Sequence, residues 1–294
     1  MWPASCAARW VGAIEADGSE GALTAAMQGI VVLGHGTKDP EGTAEFLGYV
    51  EGLRRRTGEH VEAGVLEYPG ETLPDVQTAF DRAAARGVTD IVGLPALLFF
   101  AGHTRDDMPE QLELARARHP ELRVTLAGPL GVDERLLRVI EDRLAPFEPG
   151  PDTAVLLVGR GSLSSEANAD LHKTARMLWD RNRYGWVESC FVSVAPPGVP
   201  QGIDRCFRLG ARRVLVVPYF LNTGVLAKRI SVQAVDARAE VQVASHMGLH
   251  PLIFDLFLQR IEEARAGLCP CRAGMGCRMP GVNCAWGAMC LTAV

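Results

Sequence analysis

The sequence predicts an α/β fold made of two tandem copies of one unit, each a parallel sheet of about four strands flanked by helices. Three observations predict it. Short apolar, β-branched runs alternate with helical patterns from residue 29 to residue 266. A turn-rich stretch, Glu148-Pro149-Gly150-Pro151, interrupts that alternation once. The pattern after the break then repeats the pattern before it. With 294 residues, 48% hydrophobic and 22% charged, the chain suits one large or two medium globular domains and excludes disorder over most of its length. Each copy spans roughly 120 residues, inside the usual domain range.

In the first copy, the runs 29–33, 61–66, 90–99 and 123–127 read as strands. The longest apolar stretch begins at Ile91 and contains Pro95; it reads as a buried strand running into a loop, because a membrane span needs roughly 20 residues. Helical patterns fall between the strands at 40–56, 73–86, 105–118 and 133–144. After the linker the strands are 154–158, 187–194, 212–219 and 241–244. The helices there are 164–183, 200–209, 224–237 and 251–266.

The copies also match by residue. Val32-Leu33-Gly34-His35-Gly36 pairs with Leu157-Val158-Gly159-Arg160-Gly161, and Leu73-Pro74-Asp75 with Val199-Pro200-Gln201. The third strands pair as Ile91-Val92-Gly93-Leu94-Pro95 and Val214-Leu215-Val216-Val217-Pro218. The expected organisation is an extension over 1–28, an active-site domain over 29–147, a second repeat over 152–266 and a cysteine-rich tail over 267–294. Met27 stands as an alternative start.

Net charge is −5, so no global basic field draws in nucleic acid. The first residues lack the charged and apolar regions of a secretion signal, which makes the cytoplasm the expected location. Of the eight cysteines, Cys6, Cys190 and Cys206 are scattered, and Cys269, Cys271, Cys277, Cys284 and Cys290 crowd into the tail. A disulfide scaffold would stud the whole chain. The cluster points instead to a metal or Fe–S tail, or to a disordered cysteine-rich end. Cys190 and Cys206 read as small core residues.

In an open parallel sheet, ligands bind beyond the carboxyl ends of the strands. In the first copy those positions hold His35, Glu67 and His103. The second copy has Arg160, Ser193 and Leu226 in their places. One copy keeps a titratable set; the other has become a lid, wall or anion site. Neutral imidazole is a good ligand for Co²⁺, Ni²⁺, Fe²⁺ and Zn²⁺, and two histidines with a glutamate hold such an ion loosely. Glu67 or a histidine can also take protons. Gly34-His35-Gly36 is neither a dinucleotide fingerprint nor a Walker loop, so a nucleotide enzyme is a poor fit. His60 and His119 read as solvated, and His246 and His250 as possible cleft residues of the second copy.

Leu33-Gly34-His35-Gly36-Thr37-Lys38-Asp39, the segment from Pro95 to Phe99-Phe100-Ala101-Gly102-His103, and Asp107-Met108-Pro109 resemble the sirohydrochlorin chelatases of the CbiX/SirB type. The stretch from Val217-Pro218-Tyr219 to Lys228-Arg229-Ile230 resembles the second repeat of their long, two-domain members. The resemblance implies ATP-independent insertion of a divalent metal into sirohydrochlorin, with Co²⁺ for anaerobic cobalamin synthesis or Fe²⁺ for siroheme; two imidazoles and a carboxylate would also accept Ni²⁺. It implies that His35 and His103 present the metal and take pyrrole protons, with Glu67 assisting. The carboxylate rim of the macrocycle would need cations, for which Lys38, Arg105, Arg160, Lys228 and Arg229 are candidates. Long members often carry a C-terminal Cys-X-X-Cys associated with an Fe–S cluster; here the tail has Cys-X-Cys. A rival from another class is a metal or tetrapyrrole carrier. The duplication looks like a fused dimer, so a monomer is expected, with no membrane or nucleic-acid partner.

Overall fold

The computed structural model describes residues 26–99, 107–235 and 240–268. The first repeat runs β1 (Gln28–Gly34), α1 (Pro40–Thr57), β2 (His60–Val65), α2 (Val76–Ala85), β3 (Asp90–Pro95), α3 (Asp107–Arg118), β4 (Arg123–Leu126) and α4 (Glu134–Leu144). The second runs β5 (Thr153–Gly159), α5 (Ser165–Arg181), β6 (Trp186–Phe191), α6 (Val199–Arg208), β7 (Arg213–Pro218), α7 (Val225–Val235), β8 (Val241–Val243) and α8 (Pro251–Arg265). Two four-stranded sheets result, in the orders β2-β1-β3-β4 and β6-β5-β7-β8, parallel throughout. The identical order establishes the tandem duplication.

Several boundaries differ from the sequence reading. The third strand ends at Pro95 rather than at 99: Ala96 donates to the Leu33 carbonyl at 2.8 Å and the apolar residues 97–99 turn into the space between the repeats. The sixth strand stops at Phe191, and Val194 takes a left-handed conformation (φ 60°) that no strand continues through. Helix α2 starts at Val76 because Asp75, after Pro74, caps it by accepting from the Thr78 amide. The pairing of Leu73-Pro74-Asp75 with Val199-Pro200-Gln201 is also corrected. Val65 donates to the Pro74 carbonyl and Phe191 to that of Pro197, so Pro74-Asp75 corresponds to Pro197-Gly198.

Strand alternation sends Ile30, Val32, Val155 and Leu157 into one core shared by both repeats, and Val31, Leu33, Leu156 and Val158 into separate outer cores. The last helices are exchanged. Helix α8 packs on β3, β4 and α1 of the first repeat, while α4 packs on α5 and β7 of the second. Phe254 and Phe257 of α8 meet the Tyr49 ring at centroid distances of 5.6 and 5.4 Å. Buried Arg260 donates to the Pro129 and Leu130 carbonyls, at 2.9 Å each. Neither sequence repeat therefore completes its own core, although each keeps its own sheet.

Helix α1 is the spine of the join. Thr223's carbonyl oxygen would lie 2.6 Å from a Cβ at Gly42, so only glycine lets the helix approach this closely. One turn on, Glu45 accepts from the Thr223 amide at 2.6 Å and faces His246 Nε2 at 2.9 Å. A further turn on, the fully buried Tyr49 hydroxyl lies 2.7 Å from the Gly248 carbonyl and 3.1 Å from that of Leu221. Burial raises its ionisation well above the ordinary tyrosine value, so it stays a neutral donor. Tyr49→Phe is expected to lower stability by about 0.5–1.5 kcal/mol, because the buried hydroxyl's bond across the repeats is lost while both carbonyls keep a backbone donor, Leu221 from Gly248 and Gly248 from His250. Urea unfolding checks this; an unchanged midpoint would show that the hydroxyl does not hold the repeats together.

Candidate active site

A cavity of about 580 Å³ opens between the repeats at the carboxyl ends of β1, β2, β3, β5 and β7. That size falls within the range of ligand sites. Gly34, His35, Gly36 and Lys38 line it from the β1 turn, Glu67 and Tyr68 from the β2 end, and Leu98 and Phe99 from the β3 end. Facing them are Arg160, Gly161, Ser162, Tyr219, Asn222 and Leu226 of the second repeat.

His35 and Glu67 are brought together by backbone geometry. The Glu67 amide donates to the His35 carbonyl at 2.8 Å, which fixes the two turns side by side. Gly36 has φ 94°, and a Cβ there would lie 1.8 Å from the Glu67 carbonyl oxygen. The side chains then meet with His35 Nδ1 3.8 Å from Glu67 Oε2, each about one-third exposed to the cleft (29% and 37%). An imidazole and a carboxylate at this spacing can share a cation, or relay a proton through one bridging water. The second repeat reproduces the frame without the chemistry: Ser193 donates to the Arg160 carbonyl at 3.0 Å, and Gly161 sits at φ 86° against the Ser193 oxygen. Arg160 thus occupies the His35 position and Ser193 the Glu67 position.

The other predicted residues divide. Lys38 lines the cleft with its ammonium 4.7 Å from the Tyr68 ring centroid. Arg160 is exposed at the mouth, and no carboxylate pairs with it among the described residues. Lys228 is engaged instead with Asp39 at 2.7 Å and Glu41 at 2.9 Å, and neither it nor Arg229 lines the cavity. His103, Arg105 and the cysteines 269, 271, 277, 284 and 290 lie outside the described residues. Among the described residues no cluster of three or more His, Cys, Asp or Glu forms, and no helix is long and apolar enough to cross a membrane.

The remaining histidines are structural. His60 lies 2.9 Å from Glu62 and His119 2.7 Å from Asp81, so each ring faces a carboxylate rather than open solvent. His246 and His250 do not line the cleft. His246 faces Glu45, and His250 caps α8 by accepting from the Leu252 amide. Cys190 and Cys206 are core residues as expected; burial pushes each thiol up to about 12, leaving it protonated and inert.

The sequence reading missed the Asp39 node. Asp39 caps α1, accepting from the Glu41 and Gly42 amides. The Lys228 hydrogen bond holds its carboxyl below the ordinary 3.8, against the opposing effect of burial. A depressed value means the stabilisation is present above the unfolded value and lost as the pH falls through the folded one. Lys228→Met is therefore expected to lower the urea midpoint at neutral pH, with the gap to wild type closing below about pH 4. A gap that persists unchanged in acid would assign the effect to packing. Nothing in the local pattern around Lys228 marks this contact, because its partners lie in the other repeat.

The duplicated sheets, the exchanged helices and the histidine–carboxylate pair in the cleft define a tandem α/β protein of the chelatase class. The family model CbiX matches residues 29–146 and again 154–264, and the chain belongs to that family. It is 33% identical over 259 residues to the sirohydrochlorin cobaltochelatase of Priestia megaterium, spanning 82% of this chain and 81% of that one. The same organism's sirohydrochlorin ferrochelatase is 28% identical over 230 residues, spanning 76% and 85%. Among solved structures, SirB from Bacillus subtilis with Fe³⁺ superposes with a TM-score of 0.72 at 27% identity, covering 82% of this chain and 96% of that one.

Proposed function

We propose that this protein inserts a divalent metal into sirohydrochlorin without ATP, with Co²⁺ as the physiological ion, in anaerobic cobalamin synthesis. The observation that carries the reading is the placement of His35 and Glu67, 3.8 Å apart on the first-repeat wall of a cavity whose opposite wall bears Arg160. Metal insertion must strip water from the ion and remove pyrrole protons. His35 offers a neutral imidazole to the ion and Glu67 an oxygen to ion or proton. In the sequence repeat His103 corresponds to Leu226, a cleft-lining residue, and is assigned as the second imidazole. Catalysis is by positioning and proton acceptance, with no covalent intermediate.

Lys38 and Arg160 are assigned to the substrate's carboxylates, and Arg105 is carried with them from the family resemblance. Lys228 and Arg229 would act from outside the cavity, Lys228 by holding the α1 cap in place. Arg160→Gln is expected to raise KM about tenfold with kcat little changed, since a rim cation binds substrate and transition state alike. A fall in kcat at constant KM would place Arg160 in the chemistry.

Iron is the second reading, favoured by the match to a ferrochelatase over 76% of the chain. Initial rates of the anaerobic absorbance change with Co²⁺, Fe²⁺ and Ni²⁺, each against an enzyme-free control, decide between them. Fastest gain over background with Co²⁺ supports the cobalt assignment; fastest gain with Fe²⁺ replaces it with siroheme synthesis.

A further inference from the structure

The cleft does not end at Lys38 and Tyr68. A second cavity of about 430 Å³ lies beside it, lined by Thr43, Ala44 and Leu47 of α1 among others. Lys38 and Tyr68 line both spaces, so the two residues stand at the rim where the cavities meet. A flat macrocycle with carboxylates around its edge meets such a rim with its arms rather than with its ring.

The setting of Lys38 leaves its charge available. The acids nearest to it in sequence, Asp39 and Glu41, are both engaged by Lys228, at 2.7 and 2.9 Å. Among the described residues no carboxylate lies within ion-pairing distance of Lys38. Its ammonium rests over the Tyr68 ring instead, 4.7 Å from the centroid. An aromatic face attracts an ammonium without neutralising it.

Tyr68 keeps its ring against a backbone cost. Its φ is 54°, in the left-handed region where a bulky residue is an outlier. Glu67 matches Ser193, so Tyr68 matches Val194, which is left-handed too (φ 60°) but does not line the cleft. The turn thus explains the backbone and not the ring, and glycine would make the same turn without strain. Burial does not explain the ring either, because Tyr68 is half-exposed.

We infer that Tyr68 is a positioning residue that holds the Lys38 ammonium at the rim of the cleft to receive a carboxylate arm of the tetrapyrrole. The inference rests on the function proposed above. The residue type suits the task. An acid at this position would neutralise the lysine and repel the substrate. An aliphatic residue would leave a flexible four-carbon stem to be ordered when the arm binds. The ring restrains the cation beforehand and leaves it charged, which lowers the ordering cost of binding.

The test compares dissociation constants for metal-free sirohydrochlorin in wild type, Lys38→Met, Tyr68→Leu, Tyr68→Phe and the Lys38→Met/Tyr68→Leu double variant. Lys38→Met should weaken binding about tenfold, and Tyr68→Leu about three- to fivefold. Tyr68→Phe, which keeps the aromatic face, should stay within about twofold of wild type. In the Lys38→Met background, Tyr68→Leu should cost nothing further, because the ring acts through the lysine. Losses that multiply in the double variant would overturn the inference, as would unchanged affinity in Lys38→Met. A loss in Tyr68→Phe equal to that in Tyr68→Leu would overturn it in favour of the hydroxyl. Tyr68→Gly separates binding from folding: its urea midpoint should not fall below that of wild type, while its affinity drops as in Tyr68→Leu. A clearly lowered midpoint would assign the ring to the fold and overturn the inference. Wild type that does not bind sirohydrochlorin would overturn the functional reading itself, a result distinct from all of these.

Discussion

Gly36→Ala is expected to abolish metal insertion and to destabilise the fold. The residue sits at φ 94°, and the added methyl would lie 1.8 Å from the Glu67 carbonyl oxygen. Nothing flexible can yield, because the clashing atom is backbone. The turn after β2 must move, which breaks the 2.8 Å bond from the Glu67 amide to the His35 carbonyl and separates the two side chains. A strained left-handed residue alone costs about 1–3 kcal/mol, and the clash adds to it. Denaturation midpoints measure the first effect and initial insertion rates the second. Gly161→Ala is the matched control: it meets the Ser193 oxygen in the same way but carries no titratable pair. It should cost similar stability and retain more of the rate per folded molecule. Equal loss of rate in both would mean that the second-repeat turn matters to chemistry as much as the first.

His35→Ala is expected to lower the insertion rate by about 10²–10⁴-fold, the usual worth of a positioned acid–base group, while leaving sirohydrochlorin binding within a few-fold of wild type. The side chain is about one-third exposed, so its removal opens no large core cavity, and the unfolding midpoint should move little. Glu67→Gln should fall in the same direction by less if Glu67 assists a proton transfer led by His35. A His35→Ala enzyme that keeps its rate but loses substrate affinity would reassign the imidazole to binding.

Much of this is legible in the sequence. The alternation of strand and helix patterns and the pairing of Gly34-His35-Gly36 with Gly159-Arg160-Gly161 survive in the two identical sheet orders. So does the placement of His35, Glu67 and Arg160, because residues that follow parallel strands must gather at one edge. What was hidden is long-range. Apolar periodicity shows that α4 and α8 each bury a face but not which sheet receives it, so the exchange of last helices went unseen. The apolar run through residues 96–99 looked like strand because a loop facing a cleft can be as apolar as the strand before it. Several prolines precede or open α2 and α6 (Pro69 and Pro74; Pro196, Pro197 and Pro200), which made the repeat alignment there ambiguous until the backbone bonds from Val65 and Phe191 resolved it. Lys228 looked like a free cation, and His246 like a cleft residue. Their partners Asp39 and Glu45 are in the other repeat, where local pattern carries no signal.

The exchange of helices also bears on function. The cleft walls belong to different repeats, yet one core runs behind both, and α1 is fastened to the β7–α7 turn by Glu45 and Tyr49. The His35–Glu67 wall and the Arg160 wall are consequently preorganised against each other, which is what catalysis by positioning requires.

The most direct test of the account is the number of metallated macrocycles formed per enzyme molecule. Purified protein at one-fiftieth the concentration of sirohydrochlorin, with Co²⁺ in excess and oxygen excluded, is followed by absorbance to completion and corrected for the uncatalysed reaction. The account predicts full conversion, many turnovers per molecule, at a rate well above background and dependent on His35. Conversion or binding that stops at one equivalent per protein would contradict it, and would make the His35–Glu67 pair the binding site of a carrier.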